Sequence, residues 1–491
     1  MVPFNQKTPK STPSRQCDSL KPGSPKKGRA VPPAIFREYD IRGVVDKEIT
    51  EELACQIGIA FGLFLRKRGL KSTAIGHDCR LSSSALATAC TDGLRQTGIH
   101  VTALGLVPTP LVYFAMHQNP ALSACISVTG SHNPAEYNGF KLAAAEQTLS
   151  AVEIQQLYTS IVSGETKSSA VKAKGSLQHW DPQPAYIEKV SSDIKLAHPM
   201  KIIIDAGNGA ASELAPQLFG ILGCEVSPLF CEFDGRFPNH FPDPTLTENL
   251  AALQTTLIRQ KAGIGLAFDG DADRLGVVDP SGKIVPGDLL LCLFARDLLQ
   301  KHPGAKILGD VKCSNLLFSD VAKRGGKALM WKTGHSLIKA KLKAEGALLA
   351  GEMSGHFFFS DRYFGYDDAL YAGARLVEIL SRLDASPAEL LADLPRTFAT
   401  PEIRIDCKDE EKFLLISAVR ERLSKKYQAD LMDGIRLSFG ETDWALIRAS
   451  NTQPVIVMRF EAETEERLTA LRAIVEEAAA EALREIGNAN R

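Results

Sequence analysis

No stretch of the 491-residue sequence holds the roughly 18 consecutive apolar residues of a membrane-spanning helix, so no membrane protein is expected. The formal net charge is only −1, which argues against a nucleic-acid binder with a uniformly basic surface. The ten cysteines never occur at C-x-x-C spacing, and we interpret them as reduced thiols of a cytoplasmic protein. The motif G-x-x-x-x-G-K-[ST] is also absent from the sequence, so phosphoryl transfer from ATP on a P-loop is not predicted.

The first 30 residues differ in composition from the rest of the chain. They contain five prolines, four serines, seven Lys or Arg residues and one acidic residue. No apolar stretch of signal-peptide length is present among them. We interpret residues 1–30 as a disordered basic tail. A transit peptide and a start site chosen too far upstream are the alternatives.

The remaining sequence repeats one pattern, in which a short apolar strand leads through a Gly-rich or polar turn into an amphipathic helix. Strands of this kind lie at residues 73–76, 201–205, 306–309 and 328–331, and their alternation with helices predicts mainly parallel sheets. The last hundred residues instead predict a smaller α+β domain, in which strands 434–439 and 444–449 pair antiparallel across a short turn. We therefore predict α/β domains at 31–180, 181–281 and 282–395 and a C-terminal α+β domain at 396–491.

A serine-containing loop follows the apolar stretch 121–128. Residues 127–141 read SVTGSHNPAEYNGFK, so Ser131 comes just after a predicted strand end. Open α/β sheets bind ligands at such strand ends. Ser131 is therefore a candidate nucleophile or phosphoryl carrier, although an ordinary turn would have the same composition. We expect His132 to point away from Ser131, because neighbours on an extended segment face opposite sides.

Three aspartates alternate in residues 265–279, which read GLAFDGDADRLGVVD. On an extended backbone Asp269, Asp271 and Asp273 would all face one side, and carboxylates so crowded repel one another unless a cation lies between them. Oxygen ligands without His or Cys suit Mg²⁺. An EF-hand is excluded, because Arg274 stands where that motif needs Gly. A solvated acidic turn is the alternative interpretation.

Two further loops are rich in groups that bind sugars or phosphates. Residues 350–359 read AGEMSGHFFF, where Glu352, Ser354 and His356 alternate and would share one face of a strand, which suits recognition of vicinal hydroxyls. Residues 448–459 read RASNTQPVIVMR and begin with a donor-rich segment that can bind a phosphate. A strand with a polar face and a capped β-turn are the respective alternatives.

The four loops TGSHNP, DGDADR, GEMSGH and RASNT occur together and in this order. From about residue 34 to the C-terminus the chain resembles the α-D-phosphohexomutase superfamily, most closely the bacterial phosphomannomutase/phosphoglucomutase family. The resemblance implies three α/β domains and a smaller C-terminal domain around one cleft. It also implies reversible conversion of hexose 1-phosphates and 6-phosphates of glucose and mannose through a hexose 1,6-bisphosphate, with glucose 1,6-bisphosphate as intermediate or activator.

The resemblance also implies roles for individual residues. It makes Ser131 the phosphoserine, which completes a Mg²⁺ site with Asp269, Asp271 and Asp273. The other implied catalytic residues are Lys141 and His356, as alternative general acid/base groups, together with Arg42 and Arg274. The implied substrate-binding residues are Tyr39, Lys312, His335, Glu352, Ser354, Arg448, Ser450, Asn451 and Thr452. The sequence departs from the family pattern at His77, where Arg is common, and at Gln453, where a small hydroxyl residue is common.

Three rival functions stay open at this point. A phosphoglucosamine mutase would belong to the same superfamily. A Mg²⁺-dependent sugar phosphatase would use Asp269 and Asp271 as a D-x-D nucleophile pair. A sugar-phosphate-binding module would leave Ser131 without a purpose. For the phosphohexomutase we expect a monomer that acts on small hexose phosphates and has no nucleic-acid or membrane partner.

Overall fold

The computed structural model describes residues 31–167, 173–450 and 453–489, and the strands within these ranges form four separate sheets. The tail expected at residues 1–30 lies outside the described residues. Among the described residues, no helix is both long enough and apolar enough to cross a bilayer.

The first sheet is mixed and has the strand order β1-β5-β4-β2-β3-β7, with β6 paired to β5. Its elements are β1 (Ile41–Val44), α1 (Glu51–Lys67), β2 (Ser72–His77), α2 (Ser83–Gln96), β3 (His100–Leu106), α3 (Thr109–Gln118), β4 (Ala124–Val128), β5 (Tyr137–Ala144), β6 (Gln147–Thr148), α4 (Ala151–Val162) and β7 (Leu177–His179). Strands β4, β2, β3 and β7 run parallel, whereas β5 is antiparallel to β4 and to β1. The connection from β4 to β5 carries Ser131.

The second sheet has the order β12-β11-β10-β8-β9. Its domain contains α5 (Gln183–Asp193), β8 (Lys201–Asp205), α6 (Leu214–Ile221), β9 (Glu225–Leu229), α7 (Ala251–Gln260), β10 (Ile264–Phe268), β11 (Leu275–Val278) and β12 (Ile284–Val285). Every residue of β10 is buried, as its continuous apolar sequence requires of a central strand covered on both faces. The three aspartates lie in the turn between β10 and β11, so a buried strand leads directly into the acidic loop.

The third sheet has the order β14-β13-β15-β16. Its domain contains α8 (Gly287–Lys301), β13 (Lys306–Asp310), α9 (Asn315–Lys323), β14 (Lys327–Trp331), α10 (His335–Glu345), β15 (Leu349–Gly351), β16 (Phe357–Phe359), α11 (Ala369–Leu383) and α12 (Pro387–Leu390). Strands β13, β14 and β15 are parallel, and β16 returns antiparallel to β15. Lys312, His335 and Glu352 follow the carboxyl ends of β13, β14 and β15, so one edge of this sheet carries all three.

The fourth sheet is antiparallel, with the order β17-β22-β21-β20-β19 and with β18 also paired to β22. Its domain contains β17 (Phe398–Ala399), β18 (Ile403–Asp406), α13 (Asp409–Leu423), β19 (Gln428–Asp430), β20 (Ile435–Ser438), β21 (Trp444–Ala449), β22 (Val455–Ala462) and α14 (Glu465–Ala489). The antiparallel pairing expected of β20 and β21 is confirmed. The predicted fold class, three α/β domains followed by an α+β domain, is also confirmed. The first three sheets contain antiparallel strand pairs beside the parallel ones.

The apolar cores do not follow the sheets one to one. A single cluster runs from the inner side of the first sheet through the second and third domains, and joins Phe114, Tyr186, Leu266 and Phe357. The C-terminal domain has a core of its own. Among the described residues, a small cluster containing Val311 and Trp444 packs its sheet against the third domain. The first three domains therefore share one apolar cluster, although each also has a separate core of its own, while the fourth is cored separately.

Helices α1 and α2 cross at two glycines, and this contact yields a stability prediction. A Cβ atom on Gly58 would lie 2.1 Å from the Cys90 carbonyl oxygen, and one on Gly93 would lie 2.1 Å from that of Cys55. We expect Gly58→Ala to separate the helices and destabilise the domain by about 1 to 3 kcal/mol. The thermal unfolding midpoint should fall accordingly.

Gly220 in α6 supplies the matched control, because a Cβ there would meet nothing within 4 Å. Gly220→Ala should leave the midpoint unchanged or raise it slightly, since alanine is favoured over glycine in a helix by about 0.5 to 1 kcal/mol. Equal midpoints for the two variants would contradict this account of the helix crossing.

Candidate active site

Ser131 lies buried in the tight loop between β4 and β5 and has a left-handed backbone with φ of 50°. This conformation is costly for a residue with a side chain and persists only where the surroundings impose it. Here the Ser131 backbone N–H donates to the Thr129 hydroxyl at 2.8 Å, and the Ser131 hydroxyl donates to Asp269 Oδ2 at 3.0 Å. The serine loop of the first domain therefore contacts the acidic loop of the second.

Two residues that the sequence did not single out hold this loop in place. Arg80 has a fully buried side chain and donates to the carbonyl oxygens of Ser131 at 2.7 Å and Asn133 at 2.5 Å. Asp78 accepts from the Thr129 hydroxyl at 2.7 Å and from the Gly130 N–H at 3.2 Å. Their spacing, D-x-R after a strand, was visible in the sequence, but nothing in it indicated that both side chains turn toward residue 131.

The expectation that His132 points away from Ser131 is wrong. The Ser131 hydroxyl lies 3.1 Å from His132 Nδ1. The extended backbone assumed from the sequence is replaced by the left-handed residue, which brings the two neighbouring side chains to the same side. Burial, followed by the nearby charges of Arg274 and Arg42, lowers the pKa of His132 well below its usual value. The imidazole beside the serine is therefore neutral.

Asp269, Asp271 and Asp273 are fully buried, and each offers a carboxylate oxygen within 4.8 Å of the other two. The predicted convergence is confirmed, but the predicted reason is wrong, because the segment is a turn with a left-handed Ala272 rather than an extended strand. Asp269 Oδ1 accepts the backbone N–H groups of Asp273 and Arg274 at 3.0 Å, which closes the turn. Gly270 is required there, since a Cβ would lie 2.4 Å from the Ser131 carbonyl oxygen.

The donor set of this cluster fits a hard divalent cation. Asp271 Oδ1 and Asp273 Oδ1 are buried and find no hydrogen-bond partner among the described residues. A buried anionic oxygen without a hydrogen-bond partner destabilises the fold unless a cation or a proton compensates its charge. With Asp269 and the Ser131 hydroxyl they form an all-oxygen site of the kind that Mg²⁺ prefers.

Lys141 on β5 already compensates part of this charge. Its Nζ atom lies 2.6 Å from Asp271 Oδ2 and 2.5 Å from Asp273 Oδ2. Burial alone would lower the pKa of Lys141, but the two carboxylates outweigh burial and raise it above the usual lysine value. The pKa of Asp271 is conversely lowered, because Lys141 and the Thr109 hydroxyl oppose its burial. Lys141 is therefore a buried cation inside the acidic loop.

His356 and Arg274 lie on the other side of the aspartates. The Arg274 Nε–H donates to His356 Nε2 at 3.0 Å, and His356 Nδ1 lies 3.0 Å from the Asp273 carbonyl oxygen. Since arginine only donates, this network assigns the ring proton to Nδ1. Burial, and then the charge of Arg274, lowers the pKa of His356 well below its usual value. The ring is thus neutral and fixed in one tautomer.

Arg42 and Tyr39 bring the N-terminal segment to the site. Arg42 donates to the Asn133 side-chain oxygen at 3.1 Å and pairs with Asp40 at 2.7 Å, so it contacts the serine loop. The ring of Tyr39 stands edge-on to His335 with centroids 5.2 Å apart. The first and third domains therefore meet at this segment.

The residues predicted to bind sugar hydroxyls lie in a turn and not on one strand face as expected. Glu352 and Ser354 follow β15, and Ser354 Oγ donates to Glu352 Oε2 at 3.1 Å. Glu352 Oε1 accepts the backbone N–H of Gly334 at 3.0 Å. Burial, and then the charge of Asp310, raises the pKa of Glu352 to about 7. Strands β15 and β16 are too short to include Glu352 and Ser354, so the alternation of side chains assumed from the sequence does not apply to these residues.

Lys312 and His335 complete this part of the cleft. Lys312 Nζ pairs with Glu402 at 3.0 Å, a contact across the boundary to the C-terminal domain. His335 is the first residue of α10, and its Nδ1 lies 3.4 Å from Asp367 Oδ2. The rings of His335 and His356 stack with centroids 5.7 Å apart. The two histidines therefore link the turn that carries Glu352 and Ser354 to the acidic loop.

The donor-rich loop of the C-terminal domain is described only in part. Arg448 Nε donates to Asp433 Oδ2 at 3.0 Å. Ser450 Oγ accepts the Gln453 N–H at 3.2 Å. Asn451 and Thr452 lie outside the described residues. Glu402 and Asp433, which contact the predicted substrate-binding cations, were not expected from the sequence, because each lies far along the chain from its partner.

Known protein families and relatives match most of this chain. Family models described as phosphoglucomutase/phosphomannomutase alpha/beta/alpha domains I, II and III match residues 33–167, 184–282 and 286–398, and the C-terminal domain model matches 402–478. A phosphomannomutase/phosphoglucomutase of Pseudomonas putida is 47% identical over 441 residues, which cover 89% of this chain and 94% of that protein. A phosphoglucomutase of Neisseria gonorrhoeae is 46% identical over 437 residues, or 88% and 93% of the two chains.

A crystal structure of a phosphoglucomutase/phosphomannomutase family protein from Burkholderia thailandensis is also similar. It shares 44% identity and a TM-score of 0.85, and the match covers 91% of this chain and 97% of that one. The resemblance inferred from the four loops is confirmed in sequence and in fold.

The acidic cluster predicts a pH-dependent response to magnesium. Burial, and then the charge of Asp271, raises the pKa of Asp273 to about 6, and Asp269 is raised further. An acid with a raised folded-state pKa stabilises the fold below its unfolded value, 3.8 here, and loses that contribution as the pH rises through the folded value. Bound Mg²⁺ replaces the lost protons, so Mg²⁺ should raise the melting temperature more at pH 8 than at pH 5.5.

Asp271→Asn removes one ligand and should shrink the Mg²⁺-induced shift at pH 8. Asp406→Asn, on the exposed face of β18, should leave that shift unchanged. A shift of equal size at both pH values, or an undiminished shift in Asp271→Asn, would contradict a cation site in this cluster.

Proposed function

Because this chain belongs to the phosphoglucomutase/phosphomannomutase family, we propose that it interconverts hexose 1-phosphates and hexose 6-phosphates by way of a phosphoserine at residue 131. The observation that supports this proposal is a hydrogen bond of 3.0 Å from the Ser131 hydroxyl to Asp269, which is one of three buried carboxylates. A metal-dependent phosphoryl transfer needs a nucleophile and a cation site in contact, and these two loops supply both. The enzyme is therefore an isomerase that acts by transferring a phosphoryl group within the active site.

In the proposed reaction, the free hydroxyl of the bound hexose phosphate attacks the phosphorus atom of phospho-Ser131. The bond between phosphorus and Ser131 Oγ breaks, a bond to the sugar oxygen forms, and the product is a hexose 1,6-bisphosphate. The bisphosphate then turns over in the cleft and returns its other phosphoryl group to Ser131. Asp269, Asp271, Asp273 and Ser131 would hold Mg²⁺, which when bound offsets the charge of about −1.5 to −2 on the phosphoserine.

Lys141 and His356 are the two candidates for moving the hydroxyl proton. Lys141 is held as a cation by Asp271 and Asp273, which suits it to donating a proton to the departing Ser131 oxygen. His356 is neutral, which suits it to accepting the proton of the attacking hydroxyl, provided that Arg274 releases Nε2. Arg42 would keep the serine loop aligned through Asn133.

The remaining predicted residues would bind the sugar and its second phosphate. Glu352 and Ser354 offer neighbouring acceptor and hydroxyl groups for the 3- and 4-hydroxyls, and Lys312, His335 and Tyr39 line the same part of the cleft. Arg448 and Ser450, together with the predicted Asn451 and Thr452, would bind the phosphate that does not react. We further propose a monomer acting in the cytoplasm, with hexose 1,6-bisphosphate as its intermediate or activator.

The phosphoserine is tested by mass spectrometry and by substitution. We expect a phosphate on Ser131 of the purified protein, and a loss of turnover of at least about a thousandfold in Ser131→Ala, because removing a nucleophile removes the covalent route. Ser84→Ala, at an exposed position of α2, is the matched control and should retain full activity. Full turnover by Ser131→Ala, or release of free phosphate with phosphate bound to an aspartate, would favour the phosphatase instead.

The sugar contacts predict dual specificity. Glucose and mannose differ only at C2, and a site discriminates strongly only where the wrong ligand leaves its buried polar groups unpaired. If Glu352 and Ser354 bind the 3- and 4-hydroxyls, kcat/KM for glucose 1-phosphate and mannose 1-phosphate should agree within about tenfold, or about 1.4 kcal/mol.

Glu352→Ala should lower kcat/KM for both sugars to a similar extent. An N-acetylglucosamine phosphate should react more slowly than either, because its bulky C2 amide needs additional room. A strong preference for that amino sugar would assign the chain to the phosphoglucosamine mutases.

A further inference from the structure

Asp433 joins two loops that belong to different domains. Its Oδ2 atom accepts from Arg448 Nε at 3.0 Å, within the C-terminal domain, and from the backbone N–H of Thr333 at 3.1 Å, in the third domain. Thr333 lies two residues before His335 in the loop that opens α10. One carboxylate oxygen therefore ties a predicted phosphate-binding side chain to a predicted substrate-binding loop.

The backbone around Asp433 restricts the position of the Asp433 carboxylate. Gly434 follows it with a φ of 75°, and a Cβ on Gly434 would lie 2.3 Å from the Ile447 carbonyl oxygen and 2.6 Å from Arg448 Cβ. The segment is thus pressed directly against β21, next to the residue that Asp433 binds. Only glycine allows so close an approach at this φ, so the position of the carboxylate is set by the chain itself.

The same short segment reaches a second loop of the third domain. Arg436, three residues later, donates to the carbonyl oxygens of Val311 and of Cys313, the latter at 2.9 Å. These two residues flank Lys312, the other predicted substrate-binding cation of that domain. Residues 433–436 therefore contact both third-domain loops from which substrate would be bound.

These contacts matter because the C-terminal domain has its own core and, in the part of the chain that the structure describes, packs on the third domain through a small apolar cluster. Placement of Arg448 relative to His335 then depends on polar contacts across the boundary. The Asp433 and Arg448 side chains are 11% and 5% exposed, so their ion pair is shielded from water. Arg448 pairs with Asp433 through its Nε atom, so the pair does not require the Nη groups of the Arg448 guanidinium.

We propose that Asp433 is a positioning residue for substrate recognition, which orients the Arg448 guanidinium toward the non-reacting phosphate and fixes the loop before His335 relative to it. The inference rests on the function proposed for Arg448. In the proposed function Arg448 binds the non-reacting phosphate whether the 1- or the 6-position reacts, so Asp433 would act on both half-reactions alike. Asp433 contributes equally to binding of the ground state and of the transition state. Its substitution should therefore change KM and not kcat.

Binding is measured by calorimetry in a Ser131→Ala background, where no phosphoryl transfer can occur. The Ser131→Ala protein should bind glucose 1-phosphate and glucose 6-phosphate, and adding Asp433→Asn should weaken both about tenfold, since a charge-assisted bond is replaced by a neutral one. In the otherwise native enzyme, Asp433→Asn should raise KM for glucose 1-phosphate by a similar factor and change kcat by less than about twofold.

Asp430→Asn is the matched control, because Asp430 ends the neighbouring strand β19 with an exposed side chain. It should leave both affinities and KM unchanged, and all variants should keep the parental melting temperature. Unchanged affinity in Asp433→Asn, or a fall in kcat with unaltered KM, would overturn the inference. If the Ser131→Ala protein bound neither sugar phosphate, the proposed function itself would have failed.

Discussion

The mutual repulsion of three buried carboxylates is the constraint around which the centre of this protein is arranged. Asp269, Asp271 and Asp273 could not share one turn as free anions, because a low-polarity interior strengthens like-charge repulsion. Lys141, the Ser131 hydroxyl and the turn's own N–H groups each neutralise part of that charge. The oxygens that stay unpaired define where a cation would bind. Burial thus converts an electrostatic cost into a cluster that could hold a metal ion.

The fold class and the residues brought together in the candidate site could be predicted from the sequence, because both depend on local signals. Strand β8 was predicted from its apolar run at residues 201–205, and Ser131 and the aspartates were singled out from motifs with fixed spacing. Side-chain directions were predicted less well. The alternation rule failed at His132 and again at Glu352 and Ser354, since each lies in a turn where period-two geometry does not apply. Residues with a left-handed backbone conformation, such as Ser131 and Ala272, are difficult to predict from the sequence when they are not glycine.

Contacts between distant parts of the chain were beyond such reasoning. Arg80 and Asp78 support residue 131 from another strand, and Asp433 lies 100 residues from Thr333. A single sequence without aligned relatives does not indicate which charged residue meets which. The short strands β17 and β19 were also missed, because two or three residues cannot display a periodicity. The sequence therefore indicated the candidate residues of the site but not the residues that support them.

The continuous interior of the first three domains has a consequence for how the chain is made. The apolar face that includes Phe114 on α3 is covered by residues such as Tyr186 and reaches, through the same cluster, to α11 near residue 380. Tyr186 leaves the ribosome soon after the first sheet, but α11 follows much later, because synthesis adds about 5–20 residues per second. The nascent first domain must then wait many seconds with an unfinished hydrophobic surface. An interior well suited to joining loops of three domains at one cleft thus leaves the growing polypeptide in need of protection from aggregation.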